Sequence, residues 1–130
     1  MRELGLERMA EIGKLINDFR EKRNSLEGVK IDELLIRLKS KNIVLLDVRP
    51  AVEYKNGHIP KAINIPIEEL STKLRNLPKD KEYIAYCRGP FCVFADETVN
   101  RLIKKGFKAK RLFEGFPDWK LRGLPVDVVV

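Results

Sequence analysis

Cys87 closes a β-prone run, Tyr83-Ile84-Ala85-Tyr86, and the loop Arg88-Gly89-Pro90-Phe91 separates it from a second cysteine, Cys92. A helix-like run from Val93 to Lys105 follows. A thiol attacks as the thiolate, and its ordinary pKa near 8.5 falls by several units beside a helix N-terminus or an arginine. Both influences are expected here. The first amides of the coming helix aim at the loop, Arg88 adjoins the thiol, and Arg49 is expected to reach in from a neighbouring strand end. Gly89 lets the backbone turn inward so that successive N–H groups form an anion-holding nest. We therefore read Cys87 as a nucleophile and Arg88 to Cys92 as the cradle around its sulfur. The plainer alternative is a small buried hydrophobe, as many free cysteines are.

The chain has only these two cysteines, five positions apart. That spacing does not read as a disulfide framework. Nor does it read as zinc, because CxxxxC is not a usual ligand pair and the one histidine, His58, cannot complete four ligands. A reactive thiol with a neighbour remains. Cys92 has two readings: a thiol that attacks an oxidised Cys87 and closes a disulfide, or packing under the helix start.

A strand end facing a helix N-terminus implies an α/β fold, and the rest of the chain fits one. Leu4, Met9, Ile12, Leu15, Ile16 and Phe19 recur at three- and four-residue steps, so Leu4 to about Asn24 reads as an amphipathic helix. It either packs on its own domain or serves as a dimerisation helix or connector to another domain. Residues 1–28 form this helix and linker; residues 29–130 form the main domain. There, Val29-Lys30-Ile31 is a short strand, and Asp32 caps a helix from Glu33 to Lys39. The nearly all-apolar Ile43 to Val48 suits a strand covered on both faces. Ala51 to Asn56 is a helical turn, Ala62 to Ile65 a strand, and Pro66 opens a helix from Ile67 to Arg75. Glu82 to Tyr86 is the fourth strand. Gly106 stops the helix after Cys92, Lys108 to Leu112 is the fifth strand, and a loop from Phe113 to Trp119 runs into a short helix near Lys120 to Arg122. Alternating strands and helices mean crossovers and a parallel sheet with helices on both faces, with ligands outside the strands' carboxyl ends. Asp47-Val48-Arg49, Gly57-His58 and Cys87 all fall there.

One compact domain is expected from 130 residues. There is no run of the roughly 18 apolar residues that spans a bilayer, and the charged N-terminal stretch is unlike a signal peptide, so the expectation is a cytoplasmic protein without membrane partners. The net charge is +7. Its densest groups, Arg20 to Arg23 and Lys104 to Arg111, read as solvated faces rather than a nucleic-acid surface, with a field that draws small anions as a milder possibility.

Several ordered motifs resemble the rhodanese-like domain family. They are Leu46-Asp47-Val48-Arg49-Pro50 with Glu53-Tyr54, Gly57-His58-Ile59-Pro60 with Ala62 and Asn64, and Tyr86-Cys87 with its loop. Gly115-Phe116, Trp119 and Gly123-Leu124-Pro125-Val126 resemble the family's last motif and tail. The resemblance covers Val29 to Val126 and implies a three-layer fold around a five-stranded parallel sheet. It implies sulfane-sulfur transfer without a cofactor: Cys87 takes sulfur from a small anion such as thiosulfate or a polysulfide, holds it as a persulfide, and yields it to a thiol or cyanide. The loop Arg88, Gly89, Pro90, Phe91, Cys92 and Val93 would hold the persulfide through the backbone N–H groups it has, Pro90 having none. Asp47 and Arg49 would brace the loop, with a substrate-facing Arg49 as a second reading, and His58 would stabilise a turn. Two departures stand out: Lys61 where the family usually has glycine, and Glu114-Gly115 for a common Gly-Gly.

The loop Cys87-Arg88-Gly89-Pro90-Phe91-Cys92 looks like that of rhodanese domains fused behind arsenic-repressor-type winged-helix regulators. On that resemblance the chain is a short relative or a piece of a longer protein. A phosphatase or arsenate reductase of related fold would need arginine at position 93, where this chain has Val93, and so would lack the bidentate clamp for a tetrahedral oxyanion. The competing reading is a persulfide- or redox-sensing module that uses Cys87 and Cys92, coupled to a partner through the N-terminal helix.

Overall fold

Two central strands carry the apolar sequences, β2 (Ile43–Asp47) and β4 (Glu82–Tyr86), and three shorter or more polar ones flank them: β1 (Gly28–Val29), β3 (Ile63–Asn64) and β5 (Lys108–Leu112). The computed structural model of the chain describes residues 28–89 and 92–130. The helix read over Leu4 to Asn24, and the loop residues Pro90 and Phe91, lie outside the described residues. All four strand pairings are parallel, in the order β1-β5-β4-β2-β3. The helices are α1 (Ile31–Arg37), α2 (Ala51–Asn56), α3 (Leu70–Lys73), α4 (Val93–Lys104) and α5 (Phe116–Leu121).

Side chains alternate along β4, so Tyr83, Ala85 and Cys87 face one side and Ile84 and Tyr86 the other. The first face packs with Leu46, Val48, Leu70, Val99, Leu102 and Phe107. The second packs with Val29, Leu34, Leu45, Ile59, Leu112, Phe116 and Trp119. Ala95, Val99 and Leu102, at steps of four and three, turn one stripe of α4 onto the first face. Gly106, at φ +88, ends that helix in the left-handed conformation glycine tolerates. The expected layering, with helices on both faces of a parallel sheet, is present.

Several element boundaries differ from expectation: β1 is Gly28–Val29 rather than the expected Val29 to Ile31, and β3 is only Ile63–Asn64 rather than the expected Ala62 to Ile65. Helix α1 starts at Ile31, and Lys30, not Asp32, is its N-cap. A distant carboxylate replaces the local cap: Ile31 N–H donates to Glu114 Oε1 at 2.9 Å. Asp32 instead pairs with Arg122 at 2.6 Å. The single helix expected from Ile67 to Arg75 is a 3₁₀ turn (Ile67–Glu69), α3 and a second 3₁₀ turn (Leu74–Asn76); Ser71, Thr72 and Asn76 are weak helix formers. Helix α5 starts at Phe116 because Pro117 suits a first helical turn, and Asp118 Oδ2 accepts the Gly115 N–H at 2.9 Å.

Lys61 adopts φ +72, the one left-handed non-glycine residue among those described. The turn thus keeps the backbone that glycine favours. Left-handed conformation costs an L-residue roughly 1–2 kcal/mol, partly offset by the chain entropy glycine loses. Lys61→Gly is therefore expected to raise stability by a few tenths to about 1 kcal/mol. Urea unfolding checks this; a lower midpoint would contradict it.

Candidate active site

Cys87 lies just past β4, is 1 % exposed, and faces the α4 side of the sheet. Its carbonyl accepts the Phe116 N–H at 3.0 Å, which ties it to the start of α5. Cys92 is the extended N-cap residue of α4. Cys87 and Cys92 form a disulfide, with Cα atoms 6.2 Å apart, inside the usual range for such bonds. A spacing that did not read as a disulfide framework nonetheless brings the two sulfurs together, because the strand end and the helix start lie side by side.

The loop is held from three directions. Arg111, on β5, is 1 % exposed. Its Nη2 donates to Gly89 O and its Nη1 to Cys92 O, each at 2.8 Å. Nη1 also lies 2.7 Å from Asp96 Oδ1 in the first turn of α4, close in distance but without the alignment of a hydrogen bond. One guanidinium therefore fixes both ends of the loop and the helix that follows. Register explains the placement: Arg111 pairs with Ala85 of β4, two residues before Cys87. The solvated-face reading holds for the exposed Lys104, Lys105 and Lys108 but fails at Arg111. Neither Arg111 nor Asp96 stood out in the sequence.

On the outer side, Arg88 turns away from the thiol. Its Nε donates to both Glu53 carboxylate oxygens at 2.8 and 2.9 Å, so the cation expected beside Cys87 is engaged with α2. The hydrogen bond from Arg88 holds the Glu53 carboxyl below its ordinary pKa. That contribution is present above the usual carboxylate range and is lost as pH falls through the lowered value. The pair is half exposed and contributes little.

The third support is Asp47 with Arg49. Both are buried, on the face of the sheet opposite Cys87. Asp47 Oδ2 accepts from Arg49 Nη2 at 2.6 Å and from Tyr86 Oη at 2.7 Å, and Oδ1 accepts the Arg49 N–H at 3.0 Å. Arg49 Nη2 also donates to Gly57 O at 2.6 Å, and its guanidinium lies 4.4 Å from the Phe116 ring centroid. Burial works against the Arg49 charge, but the hydrogen bonds and charge of Asp47 outweigh it and raise its pKa. Burial, then the Asp47 charge, pushes the Tyr86 phenol up. Arg49 is thus occupied as a brace beneath Phe116, whose N–H holds Cys87; it does not reach toward the sulfur. His58 stacks on Tyr54 with ring centroids 3.7 Å apart, and its Nδ1 lies 2.7 Å from Tyr54 O, the contacts of a turn residue.

The glycine roles also shift. Gly89 is not among the left-handed glycines, and a Cβ there would meet nothing within 4 Å. The nest expected from its turning is absent at that residue; its carbonyl matters instead, as the acceptor for Arg111 and for the Cys92 N–H at 3.2 Å. Gly115 is the glycine the site needs, because a Cβ on it would overlap the backbone of Arg88 and Gly89. Gly115→Ala is expected to displace the loop and cost about 1–3 kcal/mol by overpacking, whereas Gly89→Ala should stay within about 0.5 kcal/mol of wild type. Thermal melts of both variants check the contrast, and equal melts would contradict it. Val93, first residue of α4, is half exposed.

A groove of about 720 Å³, lined by Leu74, Arg75, Leu77, Lys79, Lys104 and Phe107 among others, lies at the other end of α4 and does not touch Cys87. Among the described residues no group of three or more His, Cys, Asp and Glu is placed to hold a metal, and no helix is long and apolar enough to cross a membrane.

The rhodanese-like domain model matches residues 30–122. The chain belongs to the rhodanese-like domain family. This rhodanese-like chain is 50% identical over 95 residues to the HTH-type transcriptional regulator Rv0324 of Mycobacterium tuberculosis, covering 73% of the chain and 42% of that regulator. The chain thus spans about two fifths of the regulator it matches, in keeping with the resemblance to regulator-fused domains. It is 32% identical over 83 residues to the putative sulfurtransferase YtwF of Bacillus subtilis, covering 60% of the chain and 74% of that protein. The crystal structure of the BH2092 protein from Bacillus halodurans superposes with a TM-score of 0.73 at 31% identity, covering 89% of this chain and 85% of that one. Two of the relatives of this domain are named as sulfurtransferases, one of them as putative.

Proposed function

We propose that the domain moves sulfane sulfur through a persulfide on Cys87, from an anionic donor such as thiosulfate or a polysulfide to a thiol or cyanide. The observation that carries this reading is the position of Cys87: it ends β4, faces the N-terminus of α4, and heads a loop whose two flanking carbonyls are turned inward onto Arg111. With those carbonyls occupied, the loop does not present them to an anionic sulfur. The N-terminus of α4 supplies the favourable dipole. Cys87 is the nucleophile in this reading; Asp47, Arg49 and Arg111 hold it in place.

A second reading is favoured by the Cys87–Cys92 bond and by the similarity to a transcriptional regulator. In it the pair is a sensor that reacts once per oxidation and signals through the N-terminal segment. Turnover separates the two. With disulfide closure removed by Cys92→Ser, the domain is expected to form many thiocyanates per chain from thiosulfate and cyanide. A single equivalent per chain would sink the enzyme reading and leave the sensor.

A further inference from the structure

We propose that Cys92 discharges a sulfur atom loaded on Cys87 as hydrogen sulfide, so that the domain reduces sulfane sulfur with its own two thiols. This rests on the loading of Cys87 proposed above and gives the loaded sulfur a definite fate.

The bond in the structure joins the two cysteine sulfurs directly. It is the product expected when Cys92 attacks the inner sulfur of a Cys87 persulfide; attack on the outer sulfur would only move the sulfur to Cys92. The proximity does not depend on the bond alone. Arg111 holds Gly89 O and Cys92 O at 2.8 Å each, and the Cys92 N–H reaches Gly89 O at 3.2 Å. Once the disulfide opens, Cys92 therefore stays beside Cys87. As N-cap residue it lies where a helix favours a thiolate.

The steps balance. The Cys87 thiolate attacks the outer sulfur of thiosulfate, the donor S–S bond breaks, and sulfite leaves. The Cys92 thiolate then attacks Cys87 Sγ. The Cys87–Cys92 bond forms, the persulfide bond breaks, and hydrosulfide leaves with the electron pair, taking up the proton that Cys92 gave. The transferred sulfur gains two electrons and the two cysteines lose two. A dithiol reductant from solution resets the pair by thiol–disulfide exchange.

Magnitudes favour this route over an external thiol. A well-oriented internal nucleophile reaches effective concentrations of roughly 10⁵ M or more, and even a loosely tethered one reaches about the millimolar range. Hydrosulfide is also a good leaving group, since hydrogen sulfide is a stronger acid than a cysteine thiol.

Thiosulfate is the probe, because loading releases sulfite and discharge releases sulfide. Wild type and Cys92→Ser are reduced, freed of reductant and given thiosulfate; sulfite, sulfide and intact mass are read. Wild type is expected to release about one sulfite and about one sulfide per chain and to finish as the disulfide. Cys92→Ser is expected to release sulfite, gain one sulfur atom and release no sulfide; Cys92→Ala serves should the serine variant not fold. Wild type that keeps the added sulfur without releasing sulfide would overturn the inference and leave the carrier reading intact. Equal sulfide from the Cys92 variant would overturn it too. If neither protein releases sulfite, the carrier reading falls with it.

Discussion

Cys87→Ala is expected to lose sulfur transfer entirely while remaining folded. Cys92, the chain's only other cysteine, acts in this account on sulfur already loaded on Cys87. The structural cost is modest. Removing a disulfide that closes so short a loop costs about 2 kcal/mol in the chain-entropy view, and the missing sulfur leaves a small void in the face packed by Ala85, Ala95 and Val99. Both are small beside the roughly 5–15 kcal/mol of an ordinary domain. Circular dichroism should report the wild-type fold, and thiocyanate formation should fall to the protein-free rate. Transfer that persists in folded Cys87→Ala would place the nucleophile elsewhere.

The second large effect is expected at Arg111. Arg111→Ala leaves the Asp96 carboxylate, 9 % exposed, without its counter-charge and frees the carbonyls of Gly89 and Cys92. Breaking a buried pair on one side costs about 3–5 kcal/mol. At roughly 4–8 °C per kcal/mol for a domain of this size, the melting temperature should fall by at least about 10 °C. Arg111→Ala combined with Asp96→Ala should recover part of that loss, because the uncompensated charge is gone. The loop should still suffer, since both carbonyls lack the guanidinium in the double variant. A single variant that melts within about 2 °C of wild type would show that Arg111 does not clamp the loop.

The sheet, its layering and the gathering of Asp47, Arg49, Gly57 and Cys87 at strand ends were legible because they rest on local signals. The apolar runs of β2 and β4, the period of α4 and the stop at Gly106 each read out within a few residues. What stayed hidden depends on partners far apart in the chain. Ile31 is capped by Glu114, 83 positions away, and Arg88 is held by Glu53, 35 positions away. Arg111 sits in a basic run that looks like a solvated face; only the pairing of β5 with β4 puts it under the loop. Two of the cations were thus expected near Cys87 but bond elsewhere, and the third, Arg111, was not foreseen. Arg88 and Arg49 serve carboxylates, and Arg111 serves carbonyls.

Lys61 and Glu114 show how departures from a family pattern can be absorbed. Lys61 keeps the left-handed turn at a cost in strain. Glu114 gains a role as the acceptor for α1, while Gly115 beside it keeps the close approach to the loop.

The most direct test of sulfur carriage is mass spectrometry of reduced Cys92→Ser protein after incubation with thiosulfate or inorganic polysulfide, followed by peptide mapping. One added sulfur atom on the peptide that carries Cys87, removable by cyanide, is the predicted result. An unmodified Cys87 with both donors would contradict it.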